Sequence, residues 1–126
     1  MAKNMTTTQK QNLQTFITLQ KKLQKVDSEF PLQYSICLAE IALCPGLSLT
    51  DLADKTAMPL STVSRIVGAL SKHRQRGKPY ELVTVTVSPQ ERRRKQLSLT
   101  KRGESLVNDL GKTLSETIKP ARIEAA

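Results

Sequence analysis

The chain has 126 residues, of which 38% are hydrophobic and 25% are charged, and its formal net charge is +9. This length suits a single domain with a modest core, which aliphatic side chains must fill because there are two Phe, two Tyr and no Trp. No apolar run reaches the length of a membrane span and MAKNMTTTQK lacks an apolar leader, so we expect a cytoplasmic protein rather than a membrane or secreted one.

The positive charge is concentrated in one part of the chain. Residues 72–102 contain ten Lys or Arg against two acidic residues, whereas residues 1–60 contain six Lys against five acidic residues. A basic block of this density predicts a polyanionic partner. The alternative is a solvated charged loop that serves only solubility.

The first predicted helix runs over about residues 8–26, with a threonine near its start as the cap. Its apolar stripe includes Leu13, Phe16 and Ile17, and the rest of its circumference is polar. A polar helix at a terminus needs a partner for such a stripe. The stripe therefore lies either on the same domain or on a second chain.

A second helix is predicted to begin at Pro31, because the residue before a proline avoids helical angles. Its apolar residues extend most of the way round, so we expect it to be central. Cys37 and Cys44 are too far apart on this helix to form a disulfide and are predicted to be small core residues. The alternative for either is a redox-sensing thiol.

Residues 48–70, SLTDLADKTAMPLSTVSRIVGAL, predict two short helices that meet at a tight bend. Ser48 is placed to cap the first helix, with Asp51 three residues on. In the second helix the apolar residues share one face. The opposite face carries small hydrogen-bonding residues and one cation: Ser61, Thr62, Ser64 and Arg65. Such a helix fits a DNA major groove, and the alternative is an ordinary helical hairpin with a polar outer face.

Residues 72–80 lack periodicity and predict a loop, whereas residues 81–87 and 96–99 alternate as the two strands of a ribbon. The loop and the ribbon tip carry most of the basic block: Lys72, Arg74, Arg76, Lys78, Arg92, Arg93, Arg94 and Lys95. Beside a helix-turn-helix, such a ribbon can straddle a phosphate backbone or enter a minor groove.

Residues 100–118 predict a last helix, which Thr100 caps, which Gly103 and Gly111 weaken and which Pro120 stops. Its apolar residues recur at helical spacing and suggest a helical partner. The set that we assign to dimerisation comes from both terminal helices: Leu13, Phe16, Ile17, Leu106, Leu110, Leu114 and Ile118.

The element order predicts a mainly α fold with a small β-ribbon, namely a winged helix-turn-helix with N- and C-terminal helical arms. We expect one domain over residues 1–126. Within it, residues 8–30 form the N-terminal arm, residues 31–99 form the DNA-binding core with a wing at 81–99, and residues 100–119 form the C-terminal helix.

Four stretches, SLTDLADKT, STVSRIV, ELVTV and ERRRKQLSLTKRGESL, resemble the MarR family of bacterial transcriptional regulators. In that family the wing carries an acidic residue, an arginine two positions on, and a strand that ends in Leu-Thr-x-x-Gly. Glu91, Arg93 and residues 99–103 occupy those places, and the resemblance covers about residues 31–110. The departures are Glu91 in place of Asp, Pro59 in place of a polar cap, a longer loop before the wing, and shorter terminal helices.

The resemblance implies a homodimer whose two recognition helices enter successive major grooves of a near-palindromic site. The function expected is therefore a sequence-specific regulator of transcription that binds double-stranded DNA, most simply as a repressor. Ser61, Thr62, Ser64 and Arg65 are expected on bases or adjoining phosphates, and Arg93 in the minor groove. The other basic residues of the loop and wing are expected on phosphates.

Two other functions remain open. The chain can serve replication or packaging of phage or plasmid DNA, or it can be an interaction module that binds an acidic protein. Salt-dependent binding to random DNA separates the DNA roles from the protein role. An enzyme is not expected, because His73 is the only histidine and the chain lacks metal-ligand spacing, a phosphate-binding loop and a nucleophile elbow. No cofactor is predicted, and a small-molecule effector is left open.

Overall fold

The computed structural model describes residues 4–72, 78–87, 90 and 94–125, and for residues 118–125 it describes the backbone only. In this part of the chain the elements are α1 (Thr7–Gln24), α2 (Leu32–Leu43), α3 (Leu49–Thr56), α4 (Leu60–Leu70), β1 (Val83–Val87), β2 (Lys95–Leu99) and α5 (Lys101–Ala125). The fold class is confirmed: it is mainly helical with one two-stranded antiparallel sheet, in the order of a winged helix-turn-helix. No helix among these elements is long and apolar enough to cross a membrane.

The chain forms two compact units, Pro31–Val107 and Met1–Phe30 with Asn108–Ala126. The first unit holds a core that α2, α3, α4 and the ribbon share. It is almost entirely aliphatic, and its largest fully buried side chains are Leu38, Ile41, Leu52, Ile66, Leu70, Leu82 and Leu97. The functional division into arm, core and dimerisation helix stays a prediction.

The helix-turn-helix begins at a capping box, as the sequence predicts. The Ser48 hydroxyl accepts from the backbone N–H of Asp51 at 3.1 Å, and the Asp51 carboxylate accepts from the backbone N–H of Ser48 at 3.2 Å. Ala57 closes α3 in the left-handed region at φ 56°, which turns the chain toward Pro59, the N-cap of α4. Helix α4 ends at Leu70.

Residues 80–82, which we call the bracket segment, cap the end of α4. Their three N–H groups donate to the carbonyls of Ala69, Ser71 and Leu70, at 3.1, 3.0 and 2.7 Å. Carbonyls in the last turn of a helix lack intrahelical donors, so this segment satisfies groups that water would otherwise have to reach. The chain makes the necessary turn at Glu81, which has φ 57°.

The ribbon pairs Val83 opposite Leu99 and is joined to the helical core at its second strand. Leu97 donates its N–H to the carbonyl of Leu47 at 2.9 Å, and its own carbonyl accepts from Gly46 at 2.7 Å. A two-stranded ribbon is marginal alone. These bonds, together with the burial of Leu97, fix it beside the helix-turn-helix.

In the second unit, α1 lies along the later part of α5. Thr6 caps α1 through a capping box, which confirms the predicted threonine cap. The Thr15 and Thr117 hydroxyls are 2.6 Å apart, and the Lys22 ammonium lies 2.9 Å from the Asp109 carboxylate. Thr15 and Lys22 are seven residues apart and therefore share the side of α1 that faces α5.

Helix α5 starts as predicted, because the Thr100 hydroxyl accepts from the N–H of Gly103 at 3.0 Å. Its predicted end was wrong, since the helix continues to Ala125. Pro120 removes a single N–H donor, and the turns on either side keep helical backbone.

Helix α2 is central as predicted, since it packs against α3, α4 and β2, but one of its sides is exposed. Leu32 and Leu43 are 69% and 81% exposed. Cys37 is a core residue as predicted, and burial, followed by the charge of Glu40, raises the pKa of its thiol to about 11. The same prediction is wrong for Cys44, which is exposed because α2 ends there.

Candidate nucleic-acid interface

A groove of about 1070 Å³ is formed by α4, the ribbon and the first turn of α5. We call it the basic groove. Its polar and charged lining comes from α4, β1, β2 and α5 and from the segments that join them: Ser61, Ser64, Arg65, Ser71, Lys72, Glu81, Thr84, Lys95, Thr100, Lys101 and Arg102. All of these residues belong to the Pro31–Val107 unit.

The lining of the basic groove is strongly cationic. Among the described residues that line it, five are Lys or Arg and Glu81 alone is acidic. Charges of one sign in a concave surface reinforce one another, because the low-dielectric walls focus their field into the cleft. The groove therefore attracts an anionic ligand.

Helix α4 supplies one wall because its two faces differ in chemistry. The inward face is aliphatic and fully or nearly fully buried: Val63, Ile66, Val67 and Leu70. Burial of that face turns Ser61, Ser64 and Arg65 toward the groove, where all three are exposed. Thr62, the fourth predicted contact on this helix, is half-buried and does not line the groove.

The predicted contacts of the loop and wing differ in where the structure places them. Lys72 and Lys95 are exposed and line the basic groove, and Lys78 is exposed away from it. Arg94 is also described by the structure. The other predicted contacts of the loop and wing lie outside the described residues: Arg74, Arg76, Arg92 and Arg93. The minor-groove role of Arg93 thus stays a prediction.

Arg94 has a partner that the sequence did not reveal. Its guanidinium lies 3.2 Å from the Asp51 carboxylate at the start of α3. Hydrogen bonds from the backbone and side chain of Ser48, followed by the charges of Arg94 and Lys55, lower the pKa of Asp51. Arg94 therefore joins the wing to the helix-turn-helix, at a depression of about 420 Å³ that is distinct from the basic groove.

The predicted dimerisation residues differ in exposure. On α1, Leu13, Phe16 and Ile17 are 49%, 57% and 51% exposed. On α5, Leu114 is 43% exposed, Leu106 and Leu110 are half-buried, and the side chain of Ile118 lies outside the described residues. Counting round the helix at about 100° per residue from Thr15, which faces α5, Leu13 and Ile17 lie on the opposite side and Phe16 lies about a quarter turn away.

Sequence reasoning missed Lys101 and Arg102, which are exposed and line the basic groove. The signal was available in part, since the Thr100 cap places both residues in the first turn of α5. The sequence did not show that they lie beside α4, because about thirty residues separate them from the end of that helix.

The fold and the basic groove together define a winged helix-turn-helix domain with a cationic face beside its second helix. Residues 38–75 match the IclR helix-turn-helix domain, and this range covers the second half of α2 and all of α3 and α4. The search of curated proteins gives no match.

Solved structures share this fold over most of the chain. A complex of S. aureus MepR with DNA has a TM-score of 0.69 at 21% identity and covers 90% of this chain and 88% of that one. Streptococcus pneumoniae FabT in complex with DNA gives 0.62 at 18% identity, covering 91% and 77%. MarR itself gives 0.59 at 17% identity, covering 91% and 80%. The resemblance to MarR regulators in the sequence is therefore confirmed at the level of the fold.

Proposed function

We propose that this chain is a transcriptional regulator that binds specific double-stranded DNA sequences as a homodimer and represses transcription. The observation that carries this proposal is the basic groove, in which the polar face of α4 and five cations share one concave surface. The major groove of B-DNA is about 12 Å wide and admits one α-helix. The two DNA complexes that share this fold add support by analogy.

Ser61, Ser64 and Arg65 are the residues of α4 that reach base edges in this proposal. Their side chains are short or fork-shaped, they are exposed, and the buried face behind them holds the helix in place. A guanidinium such as that of Arg65 can donate two hydrogen bonds to the edge of guanine, which discriminates against other bases by ~1–3 kcal/mol. Lys72 and Lys95 are assigned to phosphates, which position the helix without reading sequence.

The homodimer is supported by the exposed stripe of α1. Three large apolar side chains, Leu13, Phe16 and Ile17, are about half exposed, and Leu13 and Ile17 lie on the side of the helix away from α5. Full burial of such a side chain contributes ~1.5–3 kcal/mol, and covering the exposed half of each contributes roughly half of that. We assign this stripe to contact with a second copy of the chain, because a two-fold dimer matches a DNA site whose half-sites lie one helical turn apart.

Replacement of Arg65 tests base reading by α4. Arg65→Ala is expected to bind the preferred duplex at least roughly 30-fold more weakly and to accept more sequences, since one forked contact of ~1–3 kcal/mol is lost in each of the two half-sites. Fluorescence anisotropy with a duplex selected from a random pool measures the affinity, and a second selection measures the preference. Lys112→Ala, which removes an exposed cation outside the basic groove, is the matched control and should behave as wild type.

The selection also separates a regulator from a general DNA-coating or packaging protein. A regulator should prefer its selected duplex by at least ~10³ over random duplex. Equal binding to every duplex would favour packaging, and no salt-dependent binding to any duplex would favour an acidic protein partner.

Replacement of Glu81 is expected to strengthen the binding of random DNA, which is unusual for a substitution within a DNA-binding surface. Its carboxylate is the acidic group among the described lining of the basic groove, so it opposes the approach of phosphate. Glu81→Gln keeps the side-chain size and should raise the affinity for random duplex several-fold, while the preference for the selected duplex falls. Glu104→Gln, on the exposed first turn of α5 but outside the groove lining, is the control. An unchanged affinity of the Glu81 variant for random DNA would show that this carboxylate does not face the ligand.

A further inference from the structure

We infer that Lys101 and Arg102 form a phosphate clamp that grips the DNA backbone beside the recognition helix. This inference rests on the proposed function and adds a contact to the same surface. The clamp does not read bases; it sets the register of α4 on the duplex.

The first support is location. Lys101 and Arg102 occupy the first turn of α5, both are exposed, and both line the basic groove that Arg65 and Ser64 also line. Two adjacent cations on one edge of a cationic groove fit a row of phosphates better than a single anion, because the charges of a duplex backbone recur along its length.

The second support is the rigid connection to the recognition helix. The Thr100 N–H donates to the carbonyl of Leu82 at 3.0 Å, and the Thr100 hydroxyl donates to the carbonyl of Glu81 at 2.8 Å. Leu82 donates in turn to the carbonyl of Leu70, the last residue of α4, at 2.7 Å. Two peptide units of the bracket segment therefore join the end of α4 to the start of α5.

The third support is the close approach of the two backbones. Gly103 lies so close to the carbonyl of Leu82 that no side-chain carbon fits between them. The first turn of α5 is thus pressed onto the bracket segment and has no room to shift. Cations held in fixed geometry bind an anion without the cost of ordering a mobile loop first.

The fourth support is that this pair is unfavourable for the helix itself. The first turn of an α-helix carries the positive end of the macrodipole, where anions stabilise and cations destabilise. Lys101 and Arg102 place two positive charges there, with Glu104 the only acidic residue of the turn. An anionic ligand reverses the penalty, since it meets both the side chains and the positive end of the helix.

The test is the double variant Lys101→Ala/Arg102→Ala, measured with the selected duplex by anisotropy over a range of salt concentrations. The proposed dimer carries two clamps, so the loss of two phosphate contacts from each subunit should lower the slope of log K against log salt by about 3.6 and weaken binding roughly 10²-fold or more at 0.1 M salt. The base preference should stay unchanged. The Tm of the free protein should stay the same or rise, because the helix loses two unfavourable charges.

The matched control is Lys10→Ala/Lys112→Ala, which removes the same net charge from exposed positions of the other unit. Equal changes in slope for the two double variants would overturn the clamp, because net charge alone would then explain the effect. An unchanged slope for Lys101→Ala/Arg102→Ala would overturn it as well. If Arg65→Ala still loses affinity in either case, the proposed function stands without the clamp.

Discussion

Gly103→Ala is expected to destabilise the fold by about 3 kcal/mol or more, because the new methyl group would overlap the carbonyl of Leu82. That oxygen accepts from Thr100 and belongs to the bracket segment, so it has no free direction in which to move. Thermal and urea unfolding of the variant measure the loss. DNA affinity should fall at the same time, since the start of α5 and the end of α4 share this contact.

Gly111→Ala is the control, because it is the same substitution in the same helix. No atom lies within 4 Å of the Cβ that it would add. Alanine is favoured over glycine in a helix interior by roughly 0.5–1 kcal/mol, so this variant should be slightly more stable than wild type. If both variants gained stability, the close approach at Gly103 would be refuted. Helix propensity alone would then govern both positions.

Phe16→Asp is expected to convert the proposed dimer into monomers. Phe16 is 57% exposed and belongs to the α1 stripe, and a carboxylate there would have to be desolvated in an apolar interface. Sedimentation velocity should show the mass halved while circular dichroism retains the helical signal. Loss of the second half-site should weaken binding to the selected palindrome about 10²-fold or more, because the linked second contact disappears.

Gln14→Asp introduces the same charge on α1 outside the apolar stripe and should remain dimeric. A Phe16→Asp protein that stays folded and dimeric would remove this stripe from the interface. Monomers for both variants would instead indicate that added charge anywhere on α1 disrupts the chain.

Features set by neighbouring residues were predictable from the sequence. The capping box at Ser48 and Asp51 depends on residues three apart, and the structure contains both of its hydrogen bonds. The polar face of α4 follows from helical spacing, because four aliphatic residues at that spacing occupy the opposite side. The ribbon followed from alternation, and its observed strands differ from the prediction by one or two residues at an end.

Features set by tertiary contacts were not predictable. Gly103 was interpreted as a weakness in the last helix, whereas it is the point at which α5 meets the backbone of Leu82. Lys101 lies in the basic groove because the bracket segment connects the start of α5 to the end of α4. Along the chain, the whole ribbon separates Lys101 from the bracket segment. Arg94 was assigned to phosphate alone, because its partner Asp51 lies 43 residues earlier in the chain. No local pattern encodes such pairings.

An NMR titration of the isotope-labelled chain with its selected duplex tests most directly whether the basic groove is the surface that grips DNA. The amide signals of Ser61–Lys72, of β2 and of Lys101 and Arg102 should show the largest changes. The signals of the exposed side of α2, around Leu32 and Leu43, should change least. Largest changes on α2, with the groove signals unmoved, would contradict the assignment of the basic groove to DNA.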